Sequence, residues 1–154
     1  MPISRIAPSL RGAERRIGIV LSRFNATIGD PLLAGALRAL AEANVDEGDV
    51  LVVTVPGALE IPLALQRLAQ SGDYDGLVAL GAVVRGETYH FEIVANESAS
   101  GVARVALEFG IPVGNGILTT ETEAQALERA ETKGYEAAQA VLELACLLDA
   151  IDEE

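Results

Sequence analysis

GAVVRGETYHFEIV, residues 81–94, is the stretch on which the fold turns. It closes an apolar run over residues 76–84, which suits a strand buried on both faces. The chain then switches to Arg85, Gly86, Glu87, Thr88, Tyr89 and His90. Beyond them Val94, Val102, Val105 and Phe109 recur at helical spacing. A buried strand therefore ends in a polar, glycine-containing loop that opens into a helix over residues 90–109. In an open α/β sheet, ligands bind at such strand ends. Loop amides and a helix start can also hold an anion there. The chain's single histidine, His90, falls in this loop.

The same unit repeats upstream and downstream. RIGIVLS, residues 16–22, reads as a first buried strand, followed by the polar turn RFNATIGDP. Asp30 and Pro31 read as the cap and first position of a helix reaching about residue 44. That helix would bury Leu33, Leu37 and Leu40. VLVVTV, residues 50–55, is a second strand, its β-branched residues suiting a pleated buried surface. PGALEIP then turns into a helix carrying Ile61, Leu65 and Leu68 as far as Ser71, where Gly72 and Asp73 break it. Gly110 reads as a left-handed helix cap. PVGNGIL, residues 112–118, is a fourth strand, and Thr120 with Glu123 fits a capping box for a last helical region. Strands alternating with helices imply a parallel sheet covered on both faces. The three turns RFN, PGALE and RGETYH then share one end of the sheet.

Around this frame, residues 1–15 form an arm, either mobile or pairing outside its own core, and residues 16–154 form one α/β domain. The chain carries 23 acidic against 11 basic residues, a net charge of −12, which argues against nucleic acid or an anionic membrane as partner. Its amino terminus lacks the apolar core of a secretory signal, and one cysteine forms no internal disulfide. A cytoplasmic location is expected. Val141, Leu142, Leu144, Ala145, Cys146, Leu147 and Leu148 cover almost the whole circumference of the last helix. A helix apolar all round needs burial on more than one side. The first helix is similarly apolar, so an oligomer is expected.

Residue types leave two roles open at most candidate positions. His90 titrates near neutrality when unperturbed and suits acid–base work, or it is a solvated helix-start residue. Phe24 either stacks on a flat heterocycle, with Asn25 bonding a polyol, or packs on its own loop. Glu60 is a ligand acceptor or an acid favoured by the helix dipole. Glu87 and Thr88 would serve through backbone amides aimed at an anion. Arg85 reads as a solvated loop residue, Arg129 and Lys133 as helix-surface charges, and Cys146 as inert packing. Signatures of dinucleotide, ATP or zinc chemistry are missing from the sequence.

RFN, VPGALEIP, GAVVRGETYHFEIV, VGNGILTTE, Arg129 and KGYEAA, in this order, resemble the lumazine synthases. The resemblance spans residues 16–148. It implies a three-layer α/β/α, flavodoxin-like fold with a four-stranded parallel sheet in order 2-1-3-4. It also implies a transferase. Such enzymes condense 5-amino-6-(D-ribitylamino)uracil with 3,4-dihydroxy-2-butanone 4-phosphate, without metal or organic cofactor. They act late in riboflavin synthesis, with riboflavin synthase as a potential partner. Members form pentamers, and in some cases twelve pentamers close an icosahedral 60-subunit shell, with each site shared between neighbours.

By position, the resemblance gives Phe24 the pyrimidine ring, and Asn25, Glu60 and the Ala58–Leu59 backbone the ribityl chain. Val83 and Val84 would line the ring pocket, Glu87 and Thr88 would hold phosphate, and His90 would move protons. From the adjoining subunit would come Asn115, Arg129 on phosphate, and Lys133 at the pyrimidine edge. Two departures stand out: Asn115 replaces a frequent phenylalanine, and the link from Arg129 to Lys133 is shorter than usual. The alternative reading is a weakly active or inactive homologue that binds flavin or lumazine, or builds shells. An unrelated flavodoxin-like nucleotide binder would make the motif series a coincidence.

Overall fold

The computed structural model describes residues 2–154. Its elements follow as β1 (Ile17–Ser22), α1 (Ala26–Glu42), β2 (Val50–Val55), α2 (Ile61–Ser71), β3 (Gly76–Val84), α3 (His90–Phe109), β4 (Val113–Thr120) and α4 (Glu123–Asp152). The four strands are parallel in the order β2-β1-β3-β4. The parallel sheet is the one the alternating pattern predicts, and its order is the flavodoxin-like order that the resemblance implies.

Two apolar layers explain the sheet. Ile17, Ile19 and Leu21 of β1 join Val78 and Leu80 of β3 against Leu32 and Leu40 of α1 and Leu142 of α4. The alternate residues Val20, Leu77 and Ala79 face the other way, onto Ile61 and Leu65 of α2 and Val102 and Val105 of α3. Period-two alternation thus places helix pairs on opposite faces. Each large side chain fully buried here contributes about 1.5–3 kcal/mol. β2 differs from its expected burial: it is the sheet edge, with Leu51 and Val52 nearly two-fifths exposed.

Three local readings change. α1 starts at Ala26, and its cap is Asn25 in the left-handed conformation (φ 63°), not Asp30. The Asn25 carbonyl accepts from the Ile28 and Gly29 amides, both at 3.1 Å. Pro31 therefore lies inside the helix. The buried face is offset from the predicted one, with Leu32, Ala36, Ala39 and Leu40 buried while Leu37 is exposed and Leu33 only half-buried, because Leu32 and Gly35 are the positions that meet α4. At the other end the capping box is Thr122 with Gln125, not Thr120 with Glu123, because Thr120 still pairs with Val84 in the sheet.

α1 and α4 meet backbone to backbone. A methyl group on Gly134 would lie 1.9 Å from the Leu32 carbonyl oxygen, and one on Gly35 would lie 2.0 Å from that of Glu131. Part of the arm docks on the same chain. Gly12 donates to the Ala43 carbonyl at 2.9 Å, and Arg15 pairs with Asp149 of α4 at 2.7 Å. α4 keeps Leu144 and Leu147 about two-fifths exposed. Among the described residues no helix is long and apolar enough to cross a membrane.

Candidate active site

Three turns converge at the carboxyl ends of β1, β2 and β3, as parallel strands require. After β1, the Arg23 amide donates to the Val55 carbonyl at 2.8 Å, and Arg23 Nη1 donates to Thr54 Oγ1 at 3.0 Å. The Phe24 amide donates to the buried Ser22 hydroxyl at 3.2 Å. With its backbone pinned, Phe24 is held with 68% of its surface exposed. After β2, a single tight turn over Ala58–Glu60 leads into α2. A methyl group on Gly57 would sit 3.2 Å from Glu60 Oε1, so glycine leaves room for that carboxylate. After β3, Gly86 to Tyr89 form the loop, and the His90 amide reaches Thr88 Oγ1 at 3.4 Å, a loose contact.

These turns enclose a cleft of about 330 Å³. Phe24, Ala58, Leu59, Glu60, Val83, Val84, Thr88 and His90 line it. Its size is at the low end of the range for small-molecule sites. One wall is apolar, and Glu60, Thr88 and His90 supply polar groups. Glu60 has no ion-pair partner among the described residues. Asn25 and Glu87 neighbour the cleft in sequence without lining it. The Asn25 side chain makes no capping bond to its helix. A strained left-handed residue here matches the habit of functional loops.

Asn115, Arg129 and Lys133 lie elsewhere. Arg129 and Lys133 stand one turn apart on α4 and line a separate groove of about 760 Å³, together with Thr119, Thr120, Glu121 and Gln125. Arg129 Nη1 donates to the Gln125 carbonyl at 2.9 Å. The short link therefore does not displace Lys133 from Arg129: both lie within one continuous helix. Asn115 lies in an adjoining hollow that shares Ala95, Ile117 and Thr119 with this groove. Its Oδ1 accepts from the Ile117 amide at 2.9 Å, leaving the amide nitrogen of the side chain to donate. One chain thus carries a histidine cleft and a separate cationic strip along β4 and α4. Phe91 lines both crevices.

Arg85 is not a freely solvated loop residue. Its Nη1 lies 2.7 Å from Glu92 Oε1, its Nε lies 2.8 Å from Glu121 Oε2, and its guanidinium carbon sits 4.5 Å from the Phe91 ring centre. The hydrogen bond from Arg85, then the backbone bond at its own residue, hold the Glu92 carboxyl below its usual range. In return Glu92, and next Glu121, raise the guanidinium above its usual value. Sequence spacing carries no signal for this cluster beyond Arg85 and Glu92 facing a common turn.

Comparison with known proteins places the chain. The family described as 6,7-dimethyl-8-ribityllumazine synthase matches residues 14–149. A protein of that name from Paraburkholderia phymatum is 54% identical over 153 residues, covering 99% of this chain and 89% of that protein. Another from Burkholderia multivorans is 52% identical over 153 residues, with the same coverages. A third from Nitrosospira multiformis is 52% identical over 151 residues, covering 98% of this chain and 94% of that protein. With a match across nearly its whole length and relatives more than half identical, the chain belongs to the 6,7-dimethyl-8-ribityllumazine synthase family.

Proposed function

We propose that the chain condenses 5-amino-6-(D-ribitylamino)uracil with 3,4-dihydroxy-2-butanone 4-phosphate to 6,7-dimethyl-8-ribityllumazine, in the cytoplasm, as a homo-oligomer with sites shared between subunits. The amine of one substrate adds to the carbonyl of the other and water leaves. Phosphate is then eliminated, and ring closure releases a second water. The balance needs no oxidant or reductant, so no redox cofactor is invoked.

Within the cleft, Phe24 stacks on the pyrimidine, while Asn25, Glu60 and the backbone of Ala58 and Leu59 hold the ribityl chain. Val83 and Val84 form the floor. The loop at Glu87 and Thr88 holds phosphate, and His90 carries protons between amine, hydroxyl and leaving groups. Such a positioned imidazole contributes about 10²–10⁴-fold. Arg129 of an adjoining subunit stabilises the departing phosphate, Lys133 meets the pyrimidine edge, and Asn115 donates a hydrogen bond. Alignment of two reactants in one crevice removes much of the entropic barrier.

The observation that carries the shared site is the separation on one chain of the histidine cleft from the strip bearing Asn115, Arg129 and Lys133. The histidine cleft is lined by no lysine or arginine, and the groove with Arg129 and Lys133 is lined by no histidine. The exposed Leu144 and Leu147 also favour association. The reaction is tested by mixing both substrates with the purified chain and following lumazine fluorescence. Absence of product would overturn it. Solution mass tests the assembly: five or sixty copies of a 16.1 kDa chain weigh about 80 kDa or about 1 MDa.

A further inference from the structure

We infer that Arg85 is a positioning residue for the phosphate-bearing substrate: it brackets the loop that carries Thr88 and His90 and keeps Glu121 away from Arg129. This rests on the reading of the cleft given above. The backbone of Arg85 is a fixed point, since its amide donates to the Thr120 carbonyl at 2.9 Å and so prolongs the β3–β4 ladder. From there the side chain spans to three places. It lies over Phe91, binds Glu92 in the first turn of α3, and binds Glu121 at the start of the β4–α4 turn. Phe91 and Glu92 immediately follow His90, so the contact sets where the first turn of α3 stands relative to the strand end.

The loop between has little else to hold it. A methyl group on Gly86 would meet nothing within 4 Å, and the bond from the His90 amide to Thr88 is long and local. A planar guanidinium with fixed donor directions suits such a bracket better than a lysine.

Charge gives the second half of the role. Glu121 lines the groove with Arg129, and Glu92 follows Phe91, which lines both crevices. Arg85 engages both carboxylates. Without it, Glu121 is left unpaired in the groove that holds Arg129, the cation suited to a phosphate.

The test compares Arg85→Met, which keeps an apolar stem against Phe91, with Arg85→Lys. Arg85→Met lowers kcat/KM for the butanone phosphate by about tenfold or more, with a smaller loss for the pyrimidine, and Arg85→Lys recovers part of it. The chain has one histidine, so the imidazole Hε1 resonance is assignable without ambiguity. That resonance moves in Arg85→Met, responds less to added inorganic phosphate, and returns toward the parent in Arg85→Lys. Unchanged kinetics and an unmoved resonance overturn the inference. So does an equal loss for both substrates accompanied by a lower melting temperature. If the parent chain makes no product, the assigned reaction falls, while the imidazole resonance with inorganic phosphate still decides the role of Arg85.

Discussion

Mixing two crippled chains should restore what neither has alone. His90 lies in the cleft and Arg129 in the separate groove. If each working site joins the cleft of one copy to the groove of the next, His90→Ala and Arg129→Ala damage opposite halves. Loss of the imidazole costs about 10²–10⁴-fold, and loss of a preorganised charge on the leaving group costs about 10²–10³-fold. Each homogeneous variant should therefore retain about 1% of activity or less. Co-refolded in equal amounts, the chains assort at random around a closed ring. A cleft carries its histidine half the time, and the facing groove carries its arginine half the time. About a quarter of the sites are then intact in a closed symmetric assembly. Fluorescence assays of the refolded mixture, at matched total protein, should give about a quarter of the parental rate. Activity no greater than the mean of the two variants would refute a shared site, because a site confined to one chain always carries one lesion.

Other expectations follow from single contacts. Phe24→Ala should raise KM for the pyrimidine about tenfold, the scale of one lost base–aromatic stack. KM for the phosphate substrate and the melting temperature should barely move, since the ring is mostly exposed; equal effects on both substrates would remove the stack. Gly134→Ala drives a methyl group into a backbone carbonyl. Overpacking of about 1–3 kcal/mol, at its upper end here, outweighs a helix gain of about 1 kcal/mol. Circular dichroism should show melting lowered by about 4–8 °C, and an unchanged or higher value would mean the helices are not in contact.

Tyr135→Phe tests a surface pair. Tyr135 donates to Glu42 at 2.6 Å, and that bond is the main cause of both the lowered Glu42 carboxyl and the raised Tyr135 hydroxyl. A depressed carboxylate stabilises above its unfolded pKa, about 4.3, and loses that as pH falls through the folded value. A raised phenol stabilises below about pH 10 and loses that as pH rises through its folded value. Denaturant titrations should therefore find Tyr135→Phe less sensitive than the parent at both extremes. Parallel pH curves would remove the coupling.

The sheet was legible because its central strands are buried on both faces. Residues 76–84 leave no polar position to confuse strand with loop, and the abrupt change at Arg85 marks the end. The start of α1 was hidden by chemistry that reads two ways. Asp30-Pro31 is a good helix opening, whereas the true opening depends on Asn25 accepting a left-handed conformation. TTETEAQ contains two overlapping capping boxes, and only the pairing of Thr120 with Val84 selects the second. Leu33 and Leu37 share helical spacing with Leu40, but the inner side of α1 is chosen by the contact of Leu32 and Gly35 with α4, which local spacing does not reveal. Of the candidate site, the cleft residues could be read because they follow strand ends. The role of Arg85 could not, because Glu121 is far away in sequence and meets it only through strand pairing.

Where Gly35 and Gly134 bring two helices into touch, the protein acquires a ruler. The phenylalanine-bearing loop opens one helix, and the arginine–lysine pair rides on the other. No side chain at that joint can lengthen, shorten or swivel to alter the span between them. In a ring of such copies the span inside each member would be fixed by that main-chain contact, so any adjustment of the distance from one copy's histidine to the next copy's arginine would fall to the seam between them.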